Sequence, residues 1–304
     1  MHDLIIIGAG PAGLSAAVYG KRAGLDLIVI DQAPISGGQV LNTYEVDNYL
    51  GMPGINGFDL GMKFREHADK MDVTFVKETV TAIHDRKETK QVETASGTSY
   101  EARTLILATG AEHTLLQVPG ETEFKGRGVS YCATCDGAFF KGRDVAVAGG
   151  GDVAVEDAIY LSRMCRKVYL IHRRDSLRAA KSLQEKLFAC ENVEILWNST
   201  VSRIFGTDLV EGVTLHQKQE EQEKDLAVEG LFIAVGMRPC TEAFTEAVSC
   251  DEKGYLMAGE DCVTSISGVF AAGDIRTKTL RQIVTAVADG ACAVSSVEQY
   301  LNLR

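Results

Sequence analysis

The chain has 304 residues, 45% of them apolar and 24% charged, a size and composition that suit a globular protein of about two domains. A net charge of −11 argues against nucleic-acid binding, because phosphate contacts need basic surface. No stretch reaches the roughly 18 apolar residues of a membrane-spanning helix, so no membrane association is expected.

The apolar start Leu4-Ile5-Ile6-Ile7 runs straight into Gly8-Ala9-Gly10. It lacks a basic leader and a cleavage site, so it reads as a buried strand and not a signal peptide. A glycine turn, a helix to about Ala23 and a strand at 26–30 ending on Asp31 follow. Short alternating segments from Val73 to Ala102 close on an apolar strand at 105–108 and then Thr109-Gly110. The plan then repeats: strand 144–148, turn 149–151, helix 153 to about 165, strand 167–171. Alternating segments from Val193 to Val228 are interrupted by the charged stretch 218–225, which reads as a solvated hairpin loop. This second unit closes on an apolar strand at 231–236.

A tail from about Thr241 carries Gly268 to Asp274 and a helical pattern through Ala293. It is too short to stand alone, so it is expected to pack onto the first unit. Strands alternating with helices predict an α/β protein of two Rossmann-like, three-layer domains, the second inserted into the first. The expected boundaries are 1–114 and 242–304 for one domain and 115–241 for the other.

Three motifs carry chemistry. Gly8-x-Gly10-x-x-Gly13, with Pro11 and Ala12 inside it, follows a strand and opens a helix. The glycines permit a tight turn, close approach of a pyrophosphate and close helix–strand packing, and Asp31 stands where a carboxylate binds ribose hydroxyls. Gly273-Asp274, after an apolar strand, offers a second carboxylate for a sugar or ribityl hydroxyl. A nicotinamide site is better assigned elsewhere, so FAD is expected here, with Thr109 and Gly110 as further candidates. Gly38, Gln39 and Asn48 are weaker candidates, equally readable as ordinary loop residues.

Gly149-x-Gly151-x-x-Ala154, with Asp152 and Val153 in the turn, repeats the strand–turn–helix context. Where the first unit has Asp31, the second has His172-Arg173-Arg174, with Arg178 one turn on. Guanidinium groups there favour a ribose 2′-phosphate, hence NADPH over NADH; a solvated basic helix start is the plainer alternative. Between the two turns lies Cys132-Ala133-Thr134-Cys135-Asp136. Such a pair is redox-active or half of a metal site, and no second ligand pair exists, so no metal is expected. Asp136 reads either as a proton donor to a thiolate or as a turn residue. The other six cysteines look like free thiols, which points to a reducing cytoplasm.

Together these blocks resemble the bacterial low-molecular-weight thioredoxin reductases over essentially the whole chain. The resemblance rests on the two glycine turns, Ser36-Gly37-Gly38-Gln39, the Cys132–Asp136 block, His172-Arg173-Arg174, and Gly273-Asp274 followed by Arg281-Gln282. It implies a homodimer of chains with FAD and NADPH domains joined by two short linkers, and thioredoxin or a thioredoxin-like protein as partner. Electrons would pass from NADPH to FAD to the Cys132–Cys135 disulfide and on to thioredoxin. It further implies that Asn48, Arg281 and Gln282 lie near the flavin and that Asp136 is the catalytic acid. Cys135 would face the flavin, and Cys132 would attack the partner.

Rival readings are a relative with another electron donor or a peroxiredoxin-type partner, and a sensor that binds both cofactors without turnover. Val153 and Cys240 depart from the family pattern. The chain order also implies rotation about hinges near 112–119 and 237–244, because the dithiol and the NADPH turn share one domain.

Overall fold

The computed structural model of the chain describes all residues except 44, 45, 47, 218–221, 303 and 304, and the side chain of Asn42. It contains two compact units, one of Met1–Glu112 with Arg238–Arg304, the other of His113–Met237. The first unit begins with β1 (His2–Ile7), α1 (Pro11–Arg22), β2 (Leu27–Asp31), α2 (Gly57–Lys70), β3 (Thr74–Lys77), β4 (Val80–Asp85), β5 (Lys90–Thr94) and β6 (Ser99–Leu107). After β7 (Ala111–His113) come β8 (Val129–Ser130), α3 (Ala133–Asp136), β9 (Asp144–Gly149), α4 (Asp152–Ser162), β10 (Lys167–Ile171) and α5 (Lys181–Phe188). The second unit ends with β11 (Val193–Leu196), β12 (Ser199–Gly206), β13 (Val210–Gln217), β14 (Gln222–Ala227) and β15 (Gly230–Ala234). β16 (Met237–Pro239) pairs with β7, and β17 (Val269–Ala271) and α6 (Ile283–Asn302) complete the first unit.

The tail joins the first sheet through β6. Strand order is β3-β2-β1-β6-β5-β4, and the nine residues of β6 are long enough to serve three partners. β1 runs parallel to it along one edge; on the other, β5 pairs antiparallel near its start and β17 parallel near its end. Leu4–Ile7 of β1 is wholly apolar and buried because both sheet faces are covered there. Leu4, Ile6, Val29 and Ile106 share a core with residues of α1 and α6, while Ile5, Ile7, Ile30 and Leu105 pack with Phe244, Val248 and Leu256.

The second unit has a parallel sheet in the order β11-β10-β9-β15-β8. Val145, Val147, Val168 and Phe232 pack with α4 and α5 residues on one face. Ala146, Ala148, Ile171 and Ile233 pack with Val201, Ile204 and Val213 of the three-stranded sheet β12-β13-β14 on the other. That small sheet and the β4–β5 hairpin are antiparallel, yet the strands that follow them, β15 and β6, return to pair parallel with β9 and β1, so the predicted parallel pattern holds in both main sheets with antiparallel strands serving as crossovers.

The charged stretch expected as a loop requires correction. Residues 218–221 lie outside the described residues, but Gln222–Asp225 belongs to β14 and pairs with β13. An edge strand tolerates charge on exposed side chains, and charge there discourages further strand addition. Sequence periodicity also missed α2 and α5. Gly57 and Gly61 blur the pattern of α2, and α5 has only eight residues.

The closest helix contact in the first unit is α1 against α6. A Cβ on Gly290 would lie 2.3 Å from the Ala12 carbonyl oxygen and 2.8 Å from Ala16 N. Both neighbours are backbone and cannot swing aside. Gly290→Ala is expected to push the helices apart and destabilise the protein by about 1–3 kcal/mol, as overpacked cores do. Calorimetry should show a lowered unfolding midpoint; an unchanged midpoint would mean the contact yields freely.

Candidate active site

The glycine turn after β1 is built by backbone approach. Gly8 has φ +106°, and a Cβ there would lie 2.4 Å from the Ala108 carbonyl oxygen; one on Gly13 would lie 1.8 Å from the Gly8 oxygen. Gly10 differs. Its Cβ would meet only the Gly38 Cα, at 4.0 Å, so its outer side is open. Gly10 caps α1 without a side-chain bond, Pro11 opens the helix, and no acidic residue lies in the first turn. The first-turn N–H groups, those of Ala12 and Gly13 included, therefore form an uncapped positive end that suits an anion.

The other candidates for this site also lie in the first unit. Asp31 ends β2, where its carboxylate accepts the Ala9 N–H within the turn and the Ala33 N–H at 2.7 Å. Gly37 N–H donates to the Ala9 carbonyl at 2.8 Å, bringing Gly38 beside Gly10, with Gln39 exposed next to it. Thr109 N abuts Gly8, while the Thr109 hydroxyl donates to the Cys240 carbonyl at 2.6 Å and the Gly110 carbonyl accepts the Cys240 N–H. Cys240, the departure noted in the sequence, thus contributes its backbone here. Gly273 packs on Ala12, and Asn48 Nδ2 donates to Gln282 Oε1 at 3.0 Å.

Among the described residues, two buried polar atoms of this unit have no partner, Asp274 Oδ1 and Arg281 Nε. Burial pushes the Asp274 carboxyl above its ordinary value, against the pull of Lys278 and Arg281. Sequence reasoning missed the group that holds this loop, Asp289. It accepts from Arg276 Nε (2.8 Å) and Nη2 (2.7 Å), Lys278 Nζ (2.9 Å) and Gly273 N–H (2.8 Å). Burial opposes ionisation, but these four donors outweigh it and hold the Asp289 carboxyl below its ordinary value. An acid set among the small apolar residues of the first half of α6 is the signal that could have revealed it.

The second turn follows the same design. Gly151 caps α4 without a side-chain bond, and a Cβ on it would meet nothing within 4 Å. Ala154 is buried, as close packing requires, and Val153 is exposed on the outer side of the first turn. Gly150 allows His172 to pass beneath the turn, since a Cβ would lie 2.1 Å from its Nδ1.

His172 is 4% exposed, with Nδ1 3.0 Å from the Gly149 carbonyl and Nε2 3.0 Å from that of Ser176. Burial lowers its pKa, and Arg178 and Arg173 add to this against its two carbonyl contacts. Its ring thus holds turn and loop together from inside instead of facing outward with the arginines. The Arg178 N–H donates to the Gly150 carbonyl and the Ala180 N–H to Asp152 Oδ1, both at 2.8 Å. Arg173, Arg174 and Arg178 are exposed, and among the described residues their guanidinium groups pair with no carboxylate.

Cys132 and Cys135 are joined in a disulfide, their Cα atoms 5.3 Å apart. Cys132 caps α3, Cys135 lies within it, and Asp136 is its last residue. Asp136 Oδ2 accepts the Ser130 hydroxyl at 2.6 Å, while Oδ1 is buried with no partner among the described residues. Burial raises the Asp136 pKa, and the Ser130 bond works against that rise. Among the described residues, no group of histidines, cysteines and acids could hold a metal ion. The remaining cysteines are free thiols. Burial pushes Cys165 and Cys240 up to about 11 and Cys262 to about 12, and raises Cys250.

Residues 2–290 match the model of the pyridine nucleotide-disulphide oxidoreductases. The chain is 47% identical to the thioredoxin reductase of Listeria monocytogenes over 302 residues, covering 99% of this chain and 94% of that one. It is 46% identical to that of Bacillus subtilis, covering 99% and 95%. The crystal structure of thioredoxin reductase from Streptococcus pyogenes aligns at a TM-score of 0.91 and 45% identity, over 100% of this chain and 99% of that one. The glycine turns, the bonded cysteine pair and full-length similarity agree: the chain belongs to the pyridine nucleotide-disulphide oxidoreductase family, among its thioredoxin reductases.

Proposed function

We propose that the protein reduces the disulfide of thioredoxin or a thioredoxin-like protein, with FAD and NADPH as its cofactors. The observation that carries this is the sharing of one unit by three parts. These are a bonded cysteine pair with a buried carboxyl beside it, an uncapped glycine turn, and an unpaired arginine cluster.

The other unit, Met1–Glu112 with Arg238–Arg304, has the donors and acceptors FAD needs. The open α1 N-terminus at Gly10–Gly13 suits a pyrophosphate and Asp31 a ribose. Asp274 Oδ1 and Arg281 Nε, buried without partners among the described residues, suit the polar groups of a ligand. Gly38, Gln39, Asn48, Thr109, Gly110, Gly273 and Gln282 would complete the site. Within His113–Met237, Gly149, Gly151 and the first turn of α4 (Asp152, Val153 and Ala154) would receive the NADPH pyrophosphate. Arg173, Arg174 and Arg178 would bind its 2′-phosphate, with His172 fixing their loop to the turn. A flavin bound in such a protein supplies two-electron transfer between a nicotinamide and a disulfide.

The cysteines and Asp136 perform the exchange. Two electrons and one proton break the Cys132–Cys135 bond, leaving a Cys132 thiolate and a Cys135 thiol. Cys132 attacks the partner disulfide, and the partner thiolate that leaves takes the Asp136 proton. The Asp136 carboxylate then accepts the Cys135 proton. Cys135 attacks the mixed disulfide, the second partner thiolate takes that proton, the Cys132–Cys135 bond re-forms, and Asp136 regains a proton from solvent. The functional assembly we infer is a homodimer, which sedimentation at several concentrations tests.

The unpaired arginines favour NADPH over a donor without a 2′-phosphate. Arg173→Ala with Arg174→Ala should raise the KM for NADPH about tenfold or more, since a charge-assisted contact is worth about 1.5–3 kcal/mol, and leave the KM for NADH nearly unchanged. Steady-state kinetics with both nucleotides decides this, and equal use of NADH by the wild-type protein would defeat the assignment. Cys132→Ser or Cys135→Ser should abolish thioredoxin reduction while NADPH still bleaches the bound flavin, because hydride transfer does not involve the thiols. Normal thioredoxin turnover in either variant would refute the electron route.

A further inference from the structure

We propose that Ser130 is a positioning residue for disulfide exchange: its hydroxyl holds the Asp136 carboxyl in one orientation and ties it to the Cys132 backbone. This rests on the reading of Asp136 as the proton carrier. Ser130 ends β8, where it pairs with Phe232 of β15, and it is only 5% exposed. Its oxygen accepts the Cys132 N–H at 3.1 Å. Its single proton has two acceptors within reach, Asp136 Oδ2 at 2.6 Å and the Cys132 carbonyl at 3.3 Å. The shorter, charge-assisted bond wins. The Asp136 N–H in turn donates to the Cys132 carbonyl at 3.1 Å.

Cys132 and Asp136 are thus linked twice, directly through the backbone and through the buried Ser130 hydroxyl. No other side chain fixes the carboxyl, since Oδ1 has no partner among the described residues. The site is too buried at Ser130 for water to replace a lost hydroxyl freely.

Few ionisable groups compete. α3 packs on the 3₁₀ turn Gly137–Phe140, which carries none, and on α4, which carries Asp152, Glu156, Asp157 and Tyr160. The displacement of Asp136 comes from burial and Ser130, with no contribution from these four. Burial pushes Asp157 on α4 up to about 7, so it titrates in the same range; Cys132 and Cys135, once reduced, titrate with Asp136 as a coupled set.

The test is a single turnover of NADPH-reduced holoenzyme with oxidised thioredoxin from pH 5 to 9, with the thiols formed counted by alkylation. The wild-type rate should fall at high pH as the coupled set loses the proton of Asp136, and Asp136→Asn should lack that limb. Losing the Ser130 donor destabilises the carboxylate, so Ser130→Ala should move the limb up by about one pH unit. A loosened carboxyl should also lower the plateau about tenfold. Ser130→Thr, which keeps the hydroxyl, should retain the wild-type limb. Should Ser130→Ala not fold, Ser130→Gly makes the same deletion.

A profile of the hydroxyl-less variant superimposable on wild type overturns the proposal, as does a limb shifted equally by Ser130→Thr. An Asp136→Asn profile identical to wild type overturns instead the proton-carrier reading beneath it.

Discussion

Three chain segments meet at the first turn of α1, and glycine is what lets them meet. Gly13 lies on the Gly8 carbonyl, Gly290 brings α6 onto the Ala12 carbonyl, and Gly273 packs its Cα region on the Ala12 side chain. With side chains at these positions the strand, the two helices and the β17 loop would be held apart. Their approach leaves the helix N-terminus bare, and it also carries Asp274 and Arg281 in from a part of the chain more than 260 residues away. The candidate residues are therefore brought together from segments that share no local sequence relation, and Asp289 locks the incoming loop by four hydrogen bonds to one buried carboxylate.

The second unit repeats the strand–turn–helix geometry but changes what closes it. In the first, the Asp31 carboxylate accepts from the turn's own N–H. In the second, a histidine ring braces two carbonyls under the turn, and the chain that follows presents three guanidinium groups without a carboxylate partner among the described residues. The backbone frame is common to both; the group at the end of the second strand sets which phosphate or sugar the frame is suited to receive.

Most of this was legible because its causes are local. Apolar runs such as Leu4–Ile7 and Val168–Ile171 announce strands buried on both faces, and glycine spacing announces the turns. The strand at 167–171 was read to the residue. What escaped depends on contacts distant in sequence or chemically ordinary. A serine two residues before a cysteine has no signature, yet Ser130 reaches Asp136. His172 adjoins the arginines in sequence and reads as one cluster with them, whereas burial turns it inward. The strand at 222–227 hid behind its charges, which an edge position permits. Helix α2 hid behind glycines needed for its packing on Leu41 and Val40.

The high pKa values of the buried spare thiols Cys165, Cys240 and Cys262 bear on fidelity. A protein that shuttles a disulfide bond is exposed to its own cysteines, any of which as a thiolate could capture the mixed intermediate. A thiol with a pKa of about 11 is ionised in roughly one molecule in ten thousand at neutral pH, so Cys165 and Cys240 are almost inert as nucleophiles, and Cys262 more so. Hydrophobic burial thus insulates these three thiols from the exchange carried out by the pair on α3.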